Sequence, residues 1–293
     1  MAEHFSQHAA EAVSLRRAHW GDQQALERFL NRDKATHLFV LSWLENHGIR
    51  PAAPGGGGFR FLLGEREGRL EGACLILARR TAMPISTSHE VAGAFGAHMT
   101  HAFAELEHIV GESSAVDVFW ERYKRNRRPR LCRSQRYYVL RPDHFKDPCE
   151  PVPVRLARLE DLDALVIASA AMYREETLAD PYKDNPQLFV RMHRHRILHR
   201  TSYLWCDHQG KVIFKADVSC VGRYGAQIAG VYTAPEHRGR GVARRALGRL
   251  CRELLRQHAC LTLYVNDTNI PALRLYERLG FVTHCPYRTI FVT

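Results

Sequence analysis

Residues 231–250, VYTAPEHRGRGVARRALGRL, run from a short apolar strand through a basic turn into a helix-forming stretch. Inside the turn, Arg238, Gly239, Arg240 and Gly241 alternate positive charge with missing side chains. Those residue types in that order suit the holding of a bulky anion. The first N–H groups of a helix have no internal partner and carry the positive end of its dipole. Glycine lets an anion reach them, and takes the positive φ that turns successive amides toward one point. Arginine adds charge-assisted hydrogen bonds. Strand, glycine turn and helix N-terminus together form a diphosphate cradle. The spacing is neither G-x-G-x-x-G nor G-x-x-x-x-G-K-[ST], which disfavours a dinucleotide fold and a P-loop nucleotidase.

Weaker patterns lie elsewhere. His195 and His199 are i,i+4 neighbours within MHRHRILHR (192–200), but no carboxylate or cysteine follows closely. The stretch therefore reads as a solvated basic face, and no metal is expected. Arg122, Lys124, Arg125, Arg127, Arg128, Arg130, Arg133 and Arg136 lie near Tyr123, Tyr137 and Tyr138, a mixture that RNA binding by stacking would use. A soluble surface or a linker is the commoner use of such a run, so nucleic acid is disfavoured. The run Gly55–Gly58 reads as a flexible loop. Eight cysteines are scattered without a CxxC pair, which points to reduced thiols in a cytoplasm.

The elements that must position the turn can be read from the pattern around it. At 293 residues one or two domains fit. No apolar stretch is long enough for a transmembrane helix, and the start lacks the order of a secretory signal. Net charge is +11, with an excess of eight basic residues in 151–293 against three in 1–150, so an anionic ligand is expected of the second half. The proline-rich FKDPCEPVP (145–153) reads as a linker between domains at 1–148 and 152–293. Leu15–Leu26 and Val154–Leu165 align with identities at Arg16/155, Ala18/157, Asp22/161, Ala25/164 and Leu26/165. Each reads as a short strand, an acidic N-cap at Asp22 or Asp161, and an amphipathic helix. RFLLGEREGRLEGA (60–73) and SYLWCDHQGKVIFKA (202–216) then read as hairpins turning at Gly68 and Gly210. Two echoes in the same order point to tandem copies of one fold. The second copy continues as strand (about 226–233), basic turn, helix (about 242–257), strand (about 260–266), helix (about 270–279) and closing strands. The corresponding first-half stretch, HEVAGAFGAHMTHAFAEL (89–106), has no arginine-glycine turn.

Val231–His237 followed by Arg238-x-x-Gly241-x-Ala243 resembles the acyl-CoA loop of the GNAT superfamily of N-acyltransferases. Downstream, Leu263-Tyr264-Val265-Asn266, Asn269, Ala272 and Leu275–Phe281 are similar to the family's "N…A…LYEKLGF" segment, so the resemblance covers roughly residues 200–293. It implies an α/β fold (an α+β mixed sheet) in tandem GNAT-like domains, the first degenerate. It also implies acetyl-CoA as co-substrate, with the diphosphate on the amides of Arg238, Gly239, Arg240, Gly241, Val242, Ala243 and Arg244. The backbone of Val231–Thr233, including Tyr232, would line pantetheine as an added strand, Asn269 would contact the same arm, and Tyr276 would protonate the departing thiolate. Tyrosine is protonated at neutral pH, as an acid must be.

The pattern departs from the family in one place. Many members carry a glutamate on the strand before the loop, whereas Ala226–Tyr232 holds no carboxylate. Glu175 and Glu176, in MYREETLADP, and Asp217, in FKADVSC, are the candidate bases. The expected function is transfer of an acetyl group to an amine by direct attack, in a cytoplasmic protein for which a homodimer is admissible. Two other readings use the same features: an aminoacyl-tRNA-dependent transferase with tandem GNAT-like folds, and a non-catalytic acyl-CoA sensor.

Overall fold

The computed structural model describes residues 13–49, 59–78, 80–102 and 105–292, so the run Gly55–Gly58 lies outside the described residues. In chain order the first elements are β1 (Ser14–Arg17), α1 (Gln23–Leu30), α2 (Leu38–His47), β2 (Phe59–Arg66), β3 (Arg69–Leu77) and β4 (Thr81–Ser86). Then come α3 (His89–Ala102), β5 (His108–Glu112), α4 (Ser113–Tyr123), β6 (Pro129–Leu140) and β7 (Arg155–Leu156). Next are α5 (Leu162–Thr177), α6 (Pro181–Asp184), α7 (Pro186–Leu198), β8 (Ser202–Cys206), β9 (Val212–Gly222) and β10 (Gly225–Thr233). The chain closes with α8 (Val242–Leu255), β11 (Leu261–Asn266), α9 (Ile270–Arg278) and β12 (Val282–Val292).

The chain divides into two compact units. The first comprises Met1–Arg32, His47–Ser134 and Tyr287–Thr293; the second comprises Asp33–Asn46 and Gln135–Pro286. These units differ from the two sequence halves because contacts, not chain order, define them. Ala35 O accepts from Tyr137 Oη at 2.9 Å, and Glu45 Oε2 accepts from the Arg223 N–H at 2.9 Å. Asp33 pairs with His284 at 2.8 Å. These bonds bring most of α2 into the second unit.

Each unit repeats one strand order. In the first it is β1-β2-β3-β4-β5 followed by β12; in the second it is β7-β8-β9-β10-β11 followed by β6. Neighbours are antiparallel except β4/β5 and β10/β11, which are parallel and pair over only two positions each. The shared start is repeated down to its hydrogen bonds. Arg16 grips Asp22 with two bonds of 2.7 and 2.8 Å, and Arg155 grips Asp161 with the same two distances. Neither aspartate caps its α-helix with a side-chain bond, contrary to the expectation. Each carboxylate reaches back instead to the backbone N–H of His19 or Arg158, closing a 3₁₀ turn before the helix. Both hairpins form, with Gly68 and Gly210 at positive φ.

In the second unit, period-two alternation sorts the strand residues between two faces. Phe214, Ala216, Val218, Ala226, Ile228, Leu261, Leu263 and Val265 pack against α8 and α9 in the main apolar cluster. The apolar stripe of α8 is Val242, Ala246, Leu247, Leu250, Cys251 and Leu254, a 3.6-residue pattern that burial stabilises. The opposite face carries Lys215, Asp217, Gln227 and Thr262, joined by Tyr137 of the neighbouring β6, all buried. Buried polar side chains on a sheet must be partnered, and that requirement shapes the site below.

Candidate functional site

The glycine turn has the conformation its residue types call for. Gly239 and Gly241 adopt φ of 72° and 73°, and a Cβ on either would meet nothing within 4 Å. The space before the turn is open, and the glycines serve backbone conformation together with access. Gly241 precedes α8 and no side chain caps the helix, so the first-turn amides are directed outward for a ligand. Arg240 and Arg244 are exposed beside them. Arg238 is held in place: its Nε donates to Thr233 O at 2.9 Å, and its Nη2 donates to both Glu175 oxygens at 3.0 and 2.9 Å. Its guanidinium also lies 5.5 Å from the centre of the Tyr232 ring. The arrangement fits a diphosphate: outward amides, exposed cations and no Cβ in the way.

Beside the turn, β10 and β11 separate. They pair at Ala226/Leu261 and Gln227/Thr262 and no further, so Ile228–Thr233 present an edge that β11 does not fill. On its other side, β10 pairs Ala229 with Asp217 and Tyr232 with Lys215. Gly230 and Val231 therefore both oppose the single residue Ala216, forming a bulge, with Gly230 at φ 57°. A bulge re-aims a strand and releases its backbone groups from the ladder. Val231, in the bulge, and Thr233, after it, are the residues expected to line pantetheine on this edge. Tyr232 is turned inward against Ala168, Met172 and Ala234.

The ionisable candidates fall at different places. Tyr276, on α9, is 6% exposed and packs against Tyr138 and Phe281. Burial, then the nearby Glu176 charge, lifts its phenol above the usual tyrosine range, so the hydroxyl keeps its proton at neutral pH. Tyr264, on β11, is pushed up to about 12 by desolvation and by Tyr173, Glu176 and Cys220. Glu176, at the end of α5, thus lies within electrostatic reach of both phenols where β10 and β11 diverge. Glu175 is one residue away but is engaged by Arg238. Asn269 caps α9, its side-chain oxygen accepting from the Ala272 N–H at 3.2 Å.

Asp217 stands apart from these. It is 2% exposed and accepts from Ser202 Oγ at 2.6 Å, Lys215 Nζ at 2.9 Å and Arg196 Nη1 at 3.1 Å. Burial alone would raise its carboxyl, but Lys215, Arg196 and Ser202 together hold it below the ordinary range. His193, fully buried nearby, is pushed down to about 3 by burial and by the charges of Lys215 and Arg196.

Several of these parts escape a reading of the sequence alone. Lys215, Arg196 and His193 lie on two elements with no shared motif. Tyr137 Oη accepts from Gln227 Nε2 at 3.1 Å across 90 residues, over the intervening strand β11. The glycine at 230 inside a strand was the available signal for the bulge. The other motifs give less. His195, on α7, and His199, just after its end, are exposed with ring centres 4.0 Å apart, and among the described residues no three His, Cys, Asp or Glu side chains gather as metal ligands. Tyr123, Tyr137 and Tyr138, considered for base stacking, are each 0% exposed.

Residues 169–281, which span the polar sheet face, the bulge, the turn and Tyr276, match the profile of the family described as "Acetyltransferase (GNAT) family". The second unit carries a GNAT-family domain. Acyl transfer is that family's chemistry. Among solved structures, a GNAT-family acetyltransferase from Colwellia psychrerythraea is 13% identical at a TM-score of 0.57, over 96% of this chain and 100% of that one. A GCN5-related N-acetyltransferase from Sphaerobacter thermophilus is 15% identical at 0.59, over 95% and 94%. A tandem GNAT protein from the clavulanic acid biosynthesis pathway is 13% identical at 0.57, over 95% and 98%. At these identities the likeness concerns the fold, a tandem GNAT architecture in a mixed α/β sheet. No curated protein matches the sequence. No helix among the described residues is long and apolar enough to cross a membrane.

Proposed function

We propose that the second unit transfers an acetyl group from acetyl-CoA to an amine by direct attack. The observation that carries this reading is the pair of left-handed glycines, open to solvent, at the uncapped start of α8 and beside the unfilled edge of β10. Amides of residues 239–244 with Arg238, Arg240 and Arg244 would hold the diphosphate of the co-substrate. The β10 edge at Val231 and Thr233 would align its pantetheine arm, with Asn269 alongside.

Glu176 is the favoured base, because its charge reaches both Tyr276 and Tyr264, the tyrosines on the elements beside the β10/β11 opening. It would take the proton of the attacking amine as the C–N bond forms. As the C–S bond breaks, Tyr276 would give its proton to the leaving sulfur. Positioning of both reactants on one rigid sheet would supply much of the acceleration. The test is acceptor-dependent release of CoA thiol across a panel of primary amines. Binding of acetyl-CoA without turnover of any amine would support a sensor instead. Tight binding of one tRNA at physiological salt would support the tRNA-dependent reading.

A further inference from the structure

The ion cluster behind the bulge has features that packing alone does not require. Lys215 is 0% and Asp217 2% exposed, on adjacent same-face positions of β9. A Cβ at Gly230 would lie 2.7 Å from Asp217 Oδ2 and 3.1 Å from Lys215 Nζ. The pair is thus pressed against the backbone of the bulge, and only glycine permits that approach. Asp217 is saturated by Ser202, Lys215 and Arg196. His193 is buried with neither ring nitrogen partnered and stays neutral. Lys215 and Asp217 form a buried, balanced pair beneath the backbone of Gly230 and Val231, and the part-exposed Arg196 adds the cluster's excess positive charge. A buried ion pair carries a desolvation cost that apolar side chains of similar volume would avoid, so packing alone does not call for this one.

We propose that Lys215 is a positioning residue for acyl transfer: fixed by Asp217 against the Gly230–Val231 bulge, its ammonium holds the bulge in shape and sets a positive potential at the mouth of the β10/β11 opening. This inference rests on the acetyl-transfer reading above. A positive potential there acts twice. It stabilises negative charge developing on the thioester carbonyl oxygen, and it favours the neutral form of a bound amine, the form that attacks. The charged and titratable groups on the surrounding elements are Glu175 and Glu176 from α5, Tyr232 on β10, Tyr264 on β11, Tyr276 on α9 and Arg238 in the turn, with Arg196 and His193 of α7 beside Lys215 and Asp217. Lys215 is the fully buried cation among them.

The experiment is the pH dependence of kcat for the full chain with acetyl-CoA and a primary amine, read for four variants. Lys215→Met keeps the length and removes the charge. It should lower kcat by about 10- to 100-fold and move the acid limb of the profile up by about one pH unit, with KM for acetyl-CoA little changed. Arg196→Gln, at a part-exposed residue, removes charge from the same cluster and should move the limb in the same direction. Asp217→Asn leaves one more positive charge and should move it down, and Lys215→Arg should restore it. Opposite shifts from the two members of one ion pair are not expected of a purely structural pair. If Asp217→Asn does not fold, Lys215→Met and Arg196→Gln still decide the matter: acid limbs that stay in place overturn the proposal. A wild-type protein that releases no thiol with any amine defeats the transferase reading itself, a result distinct from an active enzyme whose limb does not move.

Discussion

Replacing Gly241 by valine separates the ligand role of the turn from its structural role. Gly241 sits at φ 73° with open space where a Cβ would go. No neighbour would be displaced, and the folded protein bears chiefly the strain of a left-handed, β-branched residue, about 1–2 kcal/mol. The ligand loses more. The added methyl groups fill the space through which a diphosphate would reach the first amides of α8. Hydrogen bonds to charged groups contribute about 1.5–3 kcal/mol each, so losing one or two costs about 2–5 kcal/mol. At 1.4 kcal/mol per decade, that weakens CoA binding by about 30- to several thousand-fold. Gly210→Val is the matched control: it lies in the same unit at φ 81°, also with nothing within 4 Å of a Cβ, in the β8–β9 turn. Titration calorimetry with CoA, with circular dichroism melting of each variant, should show similar losses of stability. Only Gly241→Val should lose affinity. Equal CoA affinity in the two folded variants would refute the cradle.

Further outcomes follow from the same contacts. Glu176→Gln should lower kcat by about 10²–10³-fold with the fold intact; unchanged thiol release across pH would remove it as the base. Glu175→Gln frees Arg238 from an exposed pair that contributes little to stability, so CoA should bind slightly tighter, by up to about fivefold, and weaker binding in calorimetry would contradict this. Gly230→Ala forces a methyl group against Asp217 and Lys215 at a left-handed position; urea unfolding should show a loss of about 1–3 kcal/mol, and a neutral result would mean the bulge is not held as described. Arg155 holds the Asp161 carboxyl below the usual range, so the stabilisation is present above the ordinary aspartate pKa near 4 and is lost as pH falls through the folded value. Asp161→Asn should therefore be clearly less stable than wild type at pH 7, with the gap closing in acid, and a gap that widens in acid would reverse the assignment.

The parts of the site that lie close in sequence were the legible ones. Arg238–Ala243 is a local turn whose glycines, charge and following helix state its geometry directly, and Asn269 and Tyr276 share one short segment. The strand-helix start and the hairpins repeat in both halves, so the tandem fold could be read from Arg16/Arg155, Asp22/Asp161, Gly68 and Gly210. Local pattern failed where tertiary pairing decides. Asp22 and Asp161 look like N-caps, yet each is drawn to an arginine six residues earlier because that bond is bidentate and partly buried. Asp33–Asn46 sits in the first half of the sequence but belongs to the second unit through hydrogen bonds from Tyr137 and Arg223, which no periodicity encodes. Choosing among Glu175, Glu176 and Asp217 required the tertiary surroundings of each: Arg238 against Glu175, three donors around Asp217, and two tyrosines within reach of Glu176.

The most direct test of the central claim is acceptor-dependent CoA thiol release by the full chain, measured side by side for wild type, Tyr276→Phe and Glu176→Gln. The account predicts turnover by wild type with at least one primary amine, and a loss of about 10²–10⁴-fold in kcat for each variant at nearly unchanged acetyl-CoA affinity. Full rates in both variants, or no amine-dependent thiol release by a wild-type protein that binds acetyl-CoA, would contradict it.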